Sequence, residues 1–237
     1  MIKTEFIDYK DGDVQLEAYC VYEDTQSKKP VVLVAHDWSG RNQFACKKAE
    51  QLAQLGYIGF ALDMFGKGKF GKTKEEKTAL ISPLVSDRKK LQARILAALK
   101  KAQSLPNADI KKMAVMGFCF GGLCALDLAR TSDEIIGALS FHGLLNSPDQ
   151  NANRNISAKI LALHGYNDPM VTPENVMTFC DEMTAAKADW QVHMYGNTMH
   201  AFTNPDANDP EFGTVYNKLA DERSFRAMKD FFVEIFG

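Results

Sequence analysis

Long apolar runs are missing from this sequence: no stretch approaches the roughly 18 apolar residues that cross a bilayer. Its first residues, Met-Ile-Lys-Thr-Glu-Phe, lack the apolar centre of a secretory signal. Membrane insertion and secretion are therefore not expected, and the expected compartment is the cytoplasm. An excess of one charge is missing too. Lys and Arg number 28 against 30 Asp and Glu, a formal net charge of −2, so nothing general draws the chain to nucleic acid. Cys20, Cys46, Cys119, Cys124 and Cys180 are odd in number and show no paired zinc-ligand spacing. They read as free thiols in a reducing compartment. The sequence has no repeat, low-complexity tract or Pro/Ser-rich linker, and no His-x-x-x-His or His-Glu-x-x-His pair. Gly66-Lys67-Gly68-Lys69 does not open a helix in a phosphate-binding pattern. No cofactor and no metal are expected.

What is present is an ordinary globular composition: 237 residues, 46% hydrophobic and 24% charged, enough for one domain over residues 1–237. Thr4–Tyr9 and Val14–Tyr22 flank Lys10-Asp11-Gly12-Asp13 and predict a hairpin. The apolar run Val31–Ala35 predicts a strand buried on both faces, and Tyr57–Leu62, Met113–Gly117, Ile135–Phe141, Ile160–His164 and Trp190–Tyr195 predict further strands. Between them fall helical patterns. Asn42–Leu55 turns Phe44, Ala49, Leu52 and Ala53 inward, and Ser86–Gln103 aligns Leu91, Ile95 and Leu99. Cys119–Arg130 follows a strand directly, and Thr172-Pro173 opens a helix with Val176, Phe179 and Met183 inward. A C-terminal helix presents Phe225, Met228, Phe232 and Ile235. Alternation of this kind predicts an α/β fold: a mostly parallel central sheet, helices on both faces and an N-terminal antiparallel hairpin. Ligands of such sheets bind beyond the carboxyl ends of the strands.

One strand-to-helix junction carries chemistry. Gly117-Phe118-Cys119-Phe120-Gly121-Gly122 is a nucleophile elbow with cysteine in place of serine. The sharp turn tolerates only small neighbours at 117 and 121 and aims the Phe120 amide at a developing oxyanion. At a helix N-terminus the thiolate form of Cys119 is favoured. The acid and the histidine should follow on later strand ends, in that order. Asp168, in Gly165-Tyr166-Asn167-Asp168-Pro169, and His200, in Thr198-Met199-His200-Ala201-Phe202, occupy those places. His200 would take the Cys119 proton and later activate water, with Asp168 fixing the imidazole. His36, His142, His164, His193 and Asp63 fit that order less well.

These residues resemble the dienelactone hydrolase family of the α/β-hydrolase superfamily. The resemblance is carried by His36-Asp37-Trp38-Ser39-Gly40, Gly117–Gly122, Gly165–Asp168 and His200-Ala201-Phe202, and spans nearly the whole chain. It implies attack by Cys119 on an ester, lactone or activated carbonyl, through a thioester acyl-enzyme. It also implies a second oxyanion donor, the Trp38 backbone amide, beside that of Phe120. Two positions depart from the family pattern. Asp37 stands where relatives carry a glutamate that meets the resting cysteine. Asn204 stands where members that degrade chlorinated aromatics carry an arginine for the substrate carboxylate, so dienelactone itself is not the expected substrate. Asp37, Phe202 and Asn204 are the candidate substrate contacts, and Trp38, Phe118, Phe120 and Met199 are candidates for an apolar acyl pocket. The lysine-rich segment Gly66–Lys77 is read as a solvated loop entering a helix rather than as a recruiter of anions.

The expected function is hydrolysis of small carboxylic esters, lactones or thioesters, with a small-molecule substrate as partner, neither nucleic acid nor membrane, and the oligomeric state left open. Two alternatives use the same residues: acyl transfer to an acceptor other than water, and a non-catalytic, redox-responsive role for the Cys119 thiol.

Overall fold

The structure is a computed structural model that describes residues 1–148 and 154–237. Strands β1 (Ile2–Asp11), β2 (Val14–Glu23), β3 (Lys29–Ala35), β4 (Ile58–Ala61), β5 (Ala108–Phe118), β6 (Gly137–Phe141), β7 (Lys159–Gly165) and β8 (Trp190–Tyr195) form one sheet. Its order is β1-β2-β4-β3-β5-β6-β7-β8. Pairing is antiparallel from β1 through β2 to β4 and parallel from β4 to β8. This is the expected α/β-hydrolase arrangement, hairpin included.

The continuous apolar runs have a direct physical reading. On β3, Val31, Leu33 and Ala35 enter one core while Val32 and Val34 enter the other. On β5, Met113 and Val115 go one way and Ala114, Met116 and Phe118 the other. Alternate side chains point to opposite faces, so a strand apolar at every position needs a cover on both. Helices α1 (Gln43–Gln54) and α6 (Lys218–Phe236) cover one face; α3 (Arg88–Gln103), α4 (Phe120–Thr131) and α5 (Pro173–Ala185) cover the other. Among the described residues no helix is long and apolar enough to cross a membrane.

The structure adds one helix to those given bounds above and corrects two local expectations. Helix α2 (Lys74–Val85) forms within and after the lysine-rich segment, set off from α3 by Ser86 and Asp87. It has a strong start, with the Thr73 hydroxyl accepting from the Glu76 amide and Glu76 accepting from Thr73 in return. Only Leu84 of α2 is buried, so no apolar stripe announced it. On α1 the inward residue near the start is Ala45, while Phe44 is half-buried with its ring edge on Phe118. On α6 the buried aromatics are Phe231, Phe232 and Phe236, with Phe225 and Ile235 partly covered.

Under the second face a buried ionic knot ties three helices together. Asp127 on α4 accepts from Arg88 Nε of α3 at 2.7 Å and from Arg130 Nη1 at 3.1 Å. Arg130 reaches on to Glu182 of α5 at 2.7 Å and donates to the Leu145 carbonyl. Removing Asp127 strands the buried Arg88 guanidinium and takes one acceptor from Arg130, which keeps Glu182; leaving a buried charge unpaired costs more than the intact pair contributes. Asp127→Leu is expected to lower the unfolding free energy by about 3–5 kcal/mol, read as a fall in the urea midpoint at unchanged slope.

Candidate active site

The carboxyl ends of β5, β7 and β8 converge on one cleft. At the end of β5 the chain turns so sharply that Cys119 adopts φ 55° and ψ −118°, a left-handed backbone that non-glycine residues avoid. Two close backbone approaches make the turn possible. A Cβ at Gly117 would lie 1.9 Å from the Gly121 carbonyl oxygen, and one at Gly121 would lie 2.1 Å from that of Ala35. The strain is held by hydrogen bonds on both sides: the Cys119 amide donates to Phe141 O at 3.0 Å, and the Gly122 amide donates to Cys119 O at 2.9 Å. The thiol-bearing residue is thereby left partly exposed at the start of α4.

Asp168 follows β7 and divides its carboxylate between two tasks. Oδ1 accepts from the amides of Met170 at 2.8 Å and Val171 at 3.3 Å. Oδ2 accepts from His200 Nδ1 at 2.6 Å. With Nδ1 so occupied, His200 turns Nε2 towards Cys119, and that nitrogen has no bonded partner among the described residues. Burial pulls the His200 pKa down. The adjacent Cys119 charge and the Asp168 carboxylate outweigh it and push the imidazole up to about 10. Cys119, Asp168 and His200 therefore come together as the chain order predicted.

Two further imidazoles enclose this one. His142 packs its ring against His200, centroids 5.1 Å apart, and Nε2 bonds Thr203 Oγ1 at 2.8 Å. It thus braces the turn that carries His200. Its own backbone is left-handed, φ 39°, as is Ala201 at 57°. Burial first, then the nearby His200 and His164, holds His142 well below the usual histidine range. His164 donates Nε2 to Val171 O at 2.9 Å and is also lowered by burial. His36 fixes a loop, bonding Asp37 O through Nδ1 and accepting from the Met64 amide at Nε2. Asp63 is structural, accepting from the Phe65 and Gly66 amides.

The cleft has a cavity volume of about 490 Å³, within the range of small-ligand sites. Trp38, Phe44, Phe118, Phe120, Ile81, Leu144 and Met170 give it mostly apolar walls. Trp38 stacks on Phe212 at 5.5 Å, with Lys77 over Trp38 and Lys74 over Phe212. Lys74 is also paired with Asp209 at 2.8 Å. Asp37 and Asn204 line the cleft, but both side chains are engaged locally: Asp37 Oδ1 accepts from the Ser39 amide and Asn204 Oδ1 from the Asp206 amide. The Asp37 bond and the Gly40 amide on Asp37 O leave the Trp38 amide without an acceptor among the described residues, as is the Phe120 amide. Phe202 is not a cleft residue. It is fully buried between His142 and Tyr195, because the left-handed Ala201 turns it back under the sheet. Met199 likewise does not line the cavity. No arginine faces the cleft among the described residues.

Sequence reasoning missed a small hairpin, β9 (Asn208–Asp209) with β10 (Thr214–Val215). The His200 backbone bonds to its second arm, donating to Gly213 O and accepting from the Val215 amide, each at 3.0 Å. Two-residue strands leave no periodic signal, although Pro210 and Gly213 mark a turn.

A histidine raised by its folded surroundings favours folding while it is charged. That contribution is complete below about pH 6.5 and is lost as pH climbs through about 10. Urea unfolding across this window should show a loss of stability in the wild type that is absent in His200→Gln.

Against known proteins, the sequence pattern of the dienelactone hydrolase family matches residues 16–236. A dienelactone hydrolase-like promiscuous phosphotriesterase from metagenomic libraries is 34% identical, with a TM-score of 0.94 over 100% of this chain and 99% of that one. A protein of Caenorhabditis elegans without assigned function is 37% identical over 158 residues, 65% of this chain and 99% of its own. A protein of Aquifex aeolicus provisionally named carboxymethylenebutenolidase is 28% identical, covering 76% of this chain and 79% of its own length. The elbow, the strand ends and the match over nearly the full length lead to one assignment: the chain belongs to the dienelactone hydrolase family and is a hydrolase of that kind.

Proposed function

We propose that this hydrolase cleaves small carboxylic esters, lactones or thioesters through a Cys119 acyl-enzyme. One observation carries the reading: His200 bonds Asp168 through Nδ1 at 2.6 Å and keeps Nε2 free beside Cys119. In this mechanism the Cys119 sulfur, its proton held by His200, attacks the substrate carbonyl carbon. The free amides of Trp38 and Phe120 receive the negative charge that develops on the carbonyl oxygen. Collapse of the tetrahedral intermediate expels the alcohol, which takes its proton from the His200 imidazolium, and leaves a thioester. Water activated by Nε2 then hydrolyses the thioester and restores the thiol. Asp168 keeps Nδ1 protonated throughout and stabilises the imidazolium.

The walls of the cleft bear on the substrate. An apolar acyl or aryl group suits Phe44, Phe118, Ile81 and Leu144, whereas a free carboxylate finds no arginine among the described residues. Asp37 acts in this reading through the loop that presents the Trp38 amide, not through contact with the cysteine. Asn204 shapes the cleft wall as a turn residue.

Turnover of p-nitrophenyl acetate by purified protein tests the assignment. Cys119→Ala should abolish sustained turnover, and His200→Ala should lower kcat/KM about 10²–10⁴-fold. Asp168→Asn should lower kcat more than it changes KM, since it misplaces the imidazole and not the substrate. Turnover unaffected by Cys119→Ala would sink the mechanism. A single stoichiometric burst without turnover would favour acyl transfer or a reactive-thiol role.

A further inference from the structure

The two edges of the sheet are unlike one another. β1 carries Lys3, Glu5, Asp8, Lys10 and Asp11, charges that discourage another strand from pairing there. β8, at the far edge, reads Trp-Gln-Val-His-Met-Tyr, with no charged residue, proline or glycine. Its inner groups face β7: Asp189 O accepts from the Ile160 amide and Tyr195 O from the Tyr166 amide. Alternation along the strand then turns the N–H and C=O of Trp190, Val192 and Met194 outward. These groups find no partner among the described residues, and the Met194 side chain is 38% exposed.

Beside this edge runs a stripe of α6. Arg223, Arg226, Asp230 and Glu234 line a groove of about 460 Å³ between the helix and β8. Arg223, Arg226 and Asp230 have no ion-pair partner among the described residues, while Glu234 shares Lys159 with Asp189. The stripe is basic at one end and acidic at the other, which is self-complementary under a two-fold rotation.

We propose that the occupant of this edge is a second copy of the chain, paired β8 to β8 antiparallel about a two-fold axis through Val192. Trp190 then faces Met194 of the other copy, and the outward N–H and C=O groups of all three residues are satisfied. The helix supplies an independent check on that axis. α6 runs antiparallel to β8, with Arg223 acting on Tyr195 at one end and Glu234 beside Asp189 at the other. Trp190 to Tyr195 spans about 17 Å of strand, and Arg223 to Glu234 about the same length of helix. The midpoint of the strand falls beside Val192 and His193, that of the stripe at Met228 and Lys229. A single axis through both sets Arg226 against the other copy's Asp230, and Arg223 against its Glu234. Such an interface is isologous and closes at two subunits. Among the described residues it shares no lining residue with the catalytic cleft.

Sedimentation equilibrium at high micromolar concentration tests this. The wild type should show twice the 26.4 kDa chain mass. Val192→Pro deletes an outward N–H without removing a bond to β7, and should raise the dimer dissociation constant at least tenfold. Arg226→Asp should do the same by facing like charges, and adding Asp230→Arg to it should restore the dimer. The charge pair keeps the test decisive if the proline variant fails to fold. A monomeric wild type overturns the proposal, as does a dimer that survives Val192→Pro or is indifferent to both charge states.

Discussion

A residue with a side chain pays a steric penalty at φ 55°, of order 1–3 kcal/mol, and persists there only when its surroundings over-determine it. Cys119 is held in that state by backbone packed on backbone. Gly117 and Gly121 leave no room for a Cβ, so α4 lies directly against β3 and β5. The same contact fixes the position of the sulfur and frees the Phe120 amide. Any shift of α4 away from the sheet would move both at once. The rest of the cleft is arranged around a point that this turn defines.

Charge at the site is kept on one imidazole of three. His142, His164 and His200 are all buried, and a buried cation without compensation is costly. Of the three, His200 is the one that hydrogen-bonds a carboxylate, Asp168 at 2.6 Å, beside Cys119, while His164 lies 3.9 Å from that carboxylate. The other two are held neutral by burial and by the proximity of that first charge. His142 and Thr203 turn this arrangement into a mechanical brace, linking the end of β6 to the loop that carries His200. A neutral imidazole serves there because it bonds without competing for the proton.

Much of this was legible in the linear sequence. Runs that are apolar at every position require a strand covered on both faces, and the interposed helical patterns then require parallel pairing. The elbow glycines at 117 and 121 and the order of Cys119, Asp168 and His200 placed the chemistry at one end of the sheet. Other features left no periodic trace. Helix α2 buries a single residue, β9 and β10 have two residues each, and the inward turn of Phe202 follows from the backbone at Ala201.

What the sequence determined by itself is thus the strands of the main sheet and the helices that cover it, their order, and which strand ends meet. Period and turn chemistry are local properties, set by a residue and its near neighbours. Tertiary structure alone decided how the side chains are shared out. It spends Asp37 and Asn204 on their own loops, gives His142 to the His200 turn, and packs Phe202 beneath the site. It also leaves β8 as an unguarded edge beside the charged stripe of α6. Each of those outcomes depends on groups far apart in the chain competing for the same partner, and no short window of sequence contains both competitors.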